Sequence, residues 1–246
     1  TGVATAYYDS TPLIVFSGQV ARHRQKGELN VRQLGFQELP ISLIIDPIVK
    51  AAYKPRHVDE LPMMLEAAWK MSLSGRKGPV HIELADDLQR DNIAKEPSLC
   101  REQLPQPETN KSLDKAVVEQ IYSSRYPLFL IGNGTRHVAE EIRAFLEKYK
   151  FPVISTWAAI DIASGLDEYV GVIGTYSPIN NFLIERCDLL VSIGCRLSNN
   201  IIGSLPTEFA KNINKIIVDI DEGELDKLEQ LNISRRTNIC MDASAF

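Results

Sequence analysis

Four short groups of residues, each directly after an apolar run, carry the side-chain types that grip a nucleotide. Gly132-Asn133-Gly134 follows Pro127–Ile131 and precedes a helical pattern. A glycine there lets the backbone approach a pyrophosphate, and a helix N-terminus favours its charge. Ser155-Thr156-Trp157, Gly194-Cys195-Arg196 and Asp219-Ile220-Asp221 end three further apolar runs. An acidic residue at a strand end receives ribose hydroxyls, and Arg196 offers a planar fork to a phosphate. Each group also has a plainer reading: a glycine turn without a ligand, a helix cap at Asp219, a surface ion pair at Arg196. The glycines do not complete a G-x-G-x-x-G fingerprint, because His137 stands three places after Gly134.

Other chemistries find little support. His23, His57, His81 and His137 are far apart and lack metal-ligand spacing, so no metal site is expected. There is no G-x-S-x-G elbow and no phosphate-binding P-loop. The four cysteines, Cys100, Cys187, Cys195 and Cys240, form no C-x-x-C pair; as scattered free thiols they suit a reducing, cytoplasmic setting. A formal net charge of −5 gives no reason to expect nucleic acid or an anionic membrane as partner. The local basic cluster Arg22, His23, Arg24 and Lys26 reads as a solvated loop. No apolar run approaches the ~18–20 residues of a membrane-spanning helix.

The elements that must position these groups follow from periodicity. With 44% apolar and 24% charged residues the composition is that of a globular chain. Thr1–Tyr8 reads as a helix already under way, so the chain is expected to be a piece of a longer one. Pro12–Gly18 is an apolar run bounded by Pro and Gly, predicted to be a strand buried on both faces. Asp59 is a plausible cap for a helix whose Leu61, Leu65, Ala68, Trp69 and Leu73 share one side, with Gly75 placed to end it. Pro79–Leu84 is the next strand. Residues 96–112, with three prolines and few large apolar side chains, predict a linker between a first domain at 1–95 and a second at 113–246. Beyond it helices are predicted at Leu113–Ser123, Arg136–Tyr149, Ser177–Glu185 and Glu222–Leu228. Strands are predicted at Pro127–Ile131, Phe151–Ser155, Leu189–Ile193, Lys215–Ile220 and Thr237–Met241. Strands alternating with helices imply an α/β class with parallel sheets, the second doubly wound and Rossmann-like.

With the elements placed, the residues resemble a known family. Thr1–Val20 (TGVATAYYDSTPLIVFSGQV), Phe36-Gln37-Glu38 and Ser74–Val80 (SGRKGPV) are similar to the second half of the pyrimidine-binding domain of acetolactate synthases, which are thiamine diphosphate-dependent enzymes. Gly171-x-x-Gly174-Thr175, Gly194-Cys195-Arg196 and Val218-Asp219-Ile220-Asp221 resemble the family's central, FAD/ADP-binding-like domain. The motifs keep their order over nearly the whole chain.

The resemblance implies an enzyme, a transferase or lyase, that decarboxylates a 2-keto acid, with or without transfer of the resulting carbanion to an acceptor carbonyl. It implies thiamine diphosphate and Mg²⁺ as cofactors, FAD in some members, a small 2-keto acid as partner, and a homo-oligomer, dimer or tetramer. In the family the glutamate that activates the pyrimidine lies upstream of the segment matching Thr1, and the Gly-Asp-Gly…Asn motif that holds Mg²⁺ lies in a third domain; neither is expected in this chain, which is therefore expected to be inactive alone. Gln37 matches a glutamine facing the thiamine and substrate, against the plainer reading of a loop amide. Lys50 matches a lysine near the substrate channel, against that of a surface lysine. Flavin contacts would fall on Arg76, Gly132, Gly134, Thr156, Trp157, Gly174, Thr175, Gly194, Arg196, Asp219, Ile220 and Asp221. The chain also departs from the family. Ala21 replaces a common proline, and the stretch from Gln19 to Phe36 is longer and carries Arg22, Arg24, Lys26 and Arg32. Ser198-Asn199 replaces an acidic pair of the flavin-binding members. The alternative function is a nucleotide-binding, regulatory or purely structural module without thiamine chemistry.

Overall fold

The computed structural model describes residues 1–93, 113–175 and 177–246. The chain divides into two units, Thr1–Gln106 and Pro107–Phe246. The predicted linker and Cys100 lie outside the described residues.

In the first unit the elements are α1 (Gly2–Tyr8), β1 (Leu13–Gln19), α2 (Ile41–Ile45), β2 (Ala52–Tyr53), α3 (Leu61–Leu73) and β3 (Pro79–Ala85). The three strands form a parallel sheet in the order β1-β3-β2, with Leu13 opposite Pro79 and Gln19 opposite Ala85. Alternation along β3 separates two faces. Val80 and Ile82 pack with Ala68 of α3, joined by Leu61 and Leu65, while His81 and Glu83 are buried on the other face. The helix starts later than predicted. His57 and Glu60 form a capping box over a 3-10 turn at Val58–Glu60, and α3 follows from Leu61. Gly75 sits just past its end at φ +50°. The expectation that β1 is buried on both faces is not met: Leu13 and Phe16 are exposed. The strand is hydrogen-bonded only to β3 among the described residues, so one edge and much of its apolar surface stay uncovered.

The second unit contains α4 (Lys115–Ser123), β4 (Pro127–Ile131), α5 (Ala139–Tyr149), β5 (Val153–Ser155), α6 (Ile160–Ala163), β6 (Tyr169–Val172), α7 (Pro178–Ile184), β7 (Leu189–Ile193), α8 (Asn199–Ile202), β8 (Asn214–Asp219), α9 (Glu222–Gln230) and β9 (Arg236–Cys240). Its six strands are all parallel, in the order β6-β5-β4-β7-β8-β9. The chain winds outward from β4 in one direction, then from β7 in the other, so β4 and β7 flank the switch point of a Rossmann-like sheet.

Alternate residues of each strand feed separate apolar layers. Leu128, Leu130, Leu190 and Ile217 pack with Ile184, Ile202, Leu225 and Leu228, the layer under α7, α8 and α9. Phe129, Ile131, Val191 and Ile216 pack with Val117, Ile121, Leu146 and Ile162, the layer under α4, α5 and α6. Each fully buried aliphatic side chain contributes about 1.5–3 kcal/mol. Such two-sided burial explains why β4 and β7 are continuous apolar runs, in which every residue is buried. At the start of α4, the Asp114 carboxylate accepts from the Ala116 amide at 2.9 Å. Residues Asn133–Val138 form a 3-10 helix, so α5 begins at Ala139 and not at Arg136. The strand β6 was not anticipated, because Gly171 interrupts its short apolar pattern.

Candidate functional site

The carboxyl edge of the six-stranded sheet gathers the loops after β4, β5, β6, β7 and β8, and with them the sequence-predicted groups of this unit. At the switch point the loops meet backbone to backbone. A Cβ on Gly132 would lie 2.2 Å from the Gly194 carbonyl oxygen, and one on Gly134 2.7 Å from the Gly194 Cα. Gly194, at φ +58°, would meet the Gly134 Cα at 2.7 Å in return. The amides are committed too: Gly132 N–H donates to Ile193 O, Gly134 N–H to Gly194 O and Gly194 N–H to Val218 O, at 3.0, 3.0 and 2.9 Å. These glycines therefore serve close loop packing, and their N–H groups are not aimed at a pyrophosphate. The helix N-terminus anticipated beside Gly134 is likewise replaced by the 3-10 turn.

The other strand-end groups divide. The Thr156 amide donates to Ile131 O at 2.9 Å, while the Trp157 indole is exposed. Gly174, at φ +123°, is bracketed by Asn181, whose carboxamide accepts from its N–H at 3.2 Å and donates to its carbonyl at 3.0 Å. Thr175 is exposed. Arg196 is exposed, and its carbonyl accepts from Lys227 Nζ at 2.6 Å. Asp219 accepts from the Asp221 amide at 3.0 Å, and Asp221 caps α9 by accepting from Gly223 N–H at 2.9 Å. The cap reading of this acidic pair is thus the one realised, shifted from Asp219 to Asp221. Ile220 between them is partly exposed.

Sequence reasoning missed the groups that hold this edge together. Arg136 binds Asp161 in a bidentate way, at 2.8 and 3.0 Å, and donates to Ala158 O at 2.6 Å, tying the β4 loop to the β5 loop. The guanidinium keeps the Asp161 carboxyl below its ordinary range. His137, next in sequence, meets Asp242 at 2.8 Å. Asn180 donates to Val172 O at 2.6 Å and lies where a side chain on Gly171 would be. These partners are far apart in sequence or sit on helix faces without a periodic signal.

In the first unit, Arg76 is half-buried and donates from Nε to Ser10 Oγ at 3.0 Å. Gln37 is exposed in the left-handed region at φ +67°, a conformation that costs a non-glycine residue about 1–2 kcal/mol. Its neighbour Glu38 holds the loop by accepting from the amides of Lys26, Leu34 and Gly35. The Leu34 and Lys26 amides keep that carboxyl below its ordinary range. The Lys50 ammonium donates to Met71 O and Ser74 O, both at 2.6 Å, closing the carboxyl end of α3. Partial burial pushes the Lys50 pKa down.

The polar face of β3 was also missed. His81 Nε2 lies 2.7 Å from Ser17 Oγ, and burial lowers the imidazole pKa against the pull of Glu83. Glu83 is 2% exposed; Ser42 donates to it at 2.8 Å and Lys54 pairs with it at 2.9 Å. Burial disfavours its charge, yet Lys54 and Ser42 outweigh that and hold the carboxyl below its ordinary range. Among the described residues no cluster of His, Cys, Asp and Glu is placed to hold a metal ion, and no helix is long and apolar enough to cross a membrane.

This α/β architecture is that of the thiamine enzymes: residues 115–244 match the family model of the thiamine pyrophosphate enzyme central domain, and the chain belongs to that family. Within it, the chain is similar to acetolactate synthase large subunits. It is 31% identical to the acetolactate synthase large subunit of Lactococcus lactis, over 95% of this chain and 40% of that protein. It is 28% identical to the isozyme 1 large subunit of Escherichia coli, over 97% and 42%. A probable acetolactate synthase large subunit of Methanocaldococcus jannaschii is 32% identical over 92% and 39%. The chain thus spans about two fifths of the length of these curated relatives.

Proposed function

We propose that this chain forms part of an acetolactate synthase-like enzyme that decarboxylates a 2-keto acid and joins the product to an acceptor carbonyl. The observation that carries the reading is the unbroken similarity to acetolactate synthase large subunits over 95% of the chain, across both units. Thiamine diphosphate, when bound, supplies the electron sink for breaking and making the bonds at the keto carbon. On this proposal Residues 1–95 belong to the pyrimidine-binding domain and residues 113–246 to the central domain. Gln37 is the residue of this chain nearest the chemistry. Its carboxamide can both donate and accept a hydrogen bond, and its exposed backbone is held in a fixed, strained conformation by a loop that Glu38 ties at three amides. Such strain in a tied loop is what a positioned functional side chain needs. Lys50 and Arg76 act on this reading as supports of the first unit.

Toward FAD the residues fit poorly. The amides of Gly132, Gly134 and Gly194 are spent on the carbonyls of Ile193, Gly194 and Val218, and Asp219 and Asp221 are engaged in local turns. The Gly-Asp-Gly motif that holds Mg²⁺ in the family does not occur in these 246 residues. The test is to express the whole reading frame that contains this sequence and assay it with pyruvate, thiamine diphosphate and Mg²⁺. Thiamine-dependent formation of acetolactate is expected, with a marked loss in Gln37→Ala. Its absence with pyruvate and with other 2-keto acids would return the chain to a binding or structural role.

A further inference from the structure

The chain from Gln19 to Leu39 is a loop whose ends meet. At its neck the Gln19 carboxamide donates from Nε2 to Leu39 O at 2.6 Å and accepts from Val20 N–H at 2.9 Å. Inside the loop Gln25 Nε2 donates to Val20 O and Gln33 Nε2 to Glu38 O, both at 2.9 Å. Gly35 is buried, and a Cβ there would lie 2.8 Å from Arg24 O and 2.9 Å from Val20 Cγ2. The outgoing and returning arms are therefore in van der Waals contact, and the loop is fixed by its own bonds and packing.

The returning arm ends in a tight turn. Glu38 N–H donates to Gly35 O at 3.0 Å, with a positive φ at Gln37 and not at Phe36. This is the pattern of a type II turn, whose third position suits glycine or asparagine. Glutamine stands there instead, so the turn holds a long carboxamide side chain on an unfavourable backbone. The Glu38 carboxylate supplies the restraint. Its Oε1 accepts from Lys26 N–H at 2.8 Å, and its Oε2 from Leu34 N–H at 3.0 Å and Gly35 N–H at 3.3 Å. One side chain thus joins the outgoing arm to the residues that lead into the turn. Both oxygens are taken up by the loop's own amides, so Glu38 acts through the turn.

We propose that Glu38 is a positioning residue for Gln37, with Gln19 as a second anchor at the neck, and that the turn they hold sets how the enzyme discriminates between 2-keto acids. The proposal rests on the acetolactate synthase-like reading and deepens it. A carboxamide fixed by its backbone meets a small and a larger keto acid differently, whereas one free to swing adapts to both.

The test uses the protein expressed from the whole reading frame, supplied with pyruvate and a larger 2-keto acid together. The ratio of the products does not depend on how much of the protein is active, so a variant that is only destabilised leaves it unmoved. Glu38→Ala is expected to shift the ratio in the same direction as Gln37→Ala and to lower kcat/KM by up to about a hundredfold. The double variant should be no worse than Gln37→Ala alone, because residues that act through one group are not additive. Glu38→Gln keeps one acceptor oxygen and should fall between wild type and Glu38→Ala; it carries the test if Glu38→Ala does not fold. Amide exchange over residues 26–38, followed by mass spectrometry, should quicken in the Glu38 variants. A product ratio unchanged in both Glu38 variants would overturn the proposal, as would a double variant whose losses multiply or an unaltered exchange rate. A wild-type protein that turns over no 2-keto acid would refute the underlying reading and this proposal with it, whereas an active wild type with an indifferent Glu38 refutes the proposal alone.

Discussion

Replacing Lys215 by methionine should flatten the dependence of the second unit's stability on alkaline pH. Lys215 is 1% exposed in β8, and its ammonium donates to Ala210 O at 2.6 Å and Ile213 O at 2.8 Å. Burial pushes its pKa from 10.5 down to about 8, with Glu185 and Cys187 pulling it up and Arg235 and Arg236 adding to the depression. In the unfolded chain the amine holds its proton to near pH 10, so between pH 8 and 10 the unfolded state binds more protons and stability rises with pH. A depression of this size corresponds to about 3 kcal/mol in total. Roughly 1 kcal/mol of it is recovered between pH 7 and pH 9. The assay is urea unfolding at pH 7, 8 and 9 in a Trp69→Phe background, which leaves Trp157 to report on the second unit. Methionine fills the space but leaves two carbonyls without a donor, at about 1–3 kcal/mol each. The variant should therefore be less stable at every pH, and the comparison rests on slopes, not levels. Wild-type and Lys215→Met curves that run parallel would refute the burial argument. If the variant does not fold, direct titration of the Lys215 amine by NMR decides the same point, an ordinary pKa near 10.5 being the refuting result.

Three further outcomes are expected. Lys50→Met should lower the stability of the first unit by about 2 kcal/mol through the lost bonds to Met71 and Ser74; thermal unfolding that matches wild type would contradict the helix-closing role. The chain produced alone should self-associate, because Phe36 and Leu43 are 85% and 78% exposed and Phe16 is uncovered on β1; a monomer by light scattering at high concentration would argue against this. Titration of ADP and FAD should show at most weak binding, reduced in Arg196→Ala, since the glycine amides are already spent; tight FAD binding, or one indifferent to Arg196, would show that the edge works differently.

Sequence alone determined where most strands lie, the alternation of elements and the family. Those features are local or repetitive: β4 and β7 are unbroken apolar runs because each residue meets a helix layer, and their limits were read to the residue. Only the tertiary structure decided what the glycines, lysines and carboxylates are for. Gly134 and Gly194 look like ligand glycines, yet each occupies the space the other's side chain would need. Lys215 reads as the charged start of a strand and is instead the buried donor to a loop. Lys50 and Met71 stand 21 residues apart and meet only once α3 has packed on its sheet. Arg22, Lys54 and Glu83 share a cavity because β1 and β2 both lie alongside β3. A hydrogen bond or a charge acts over a few ångströms in space, and along the chain those few ångströms carry no pattern until the sheet has set which strands are neighbours.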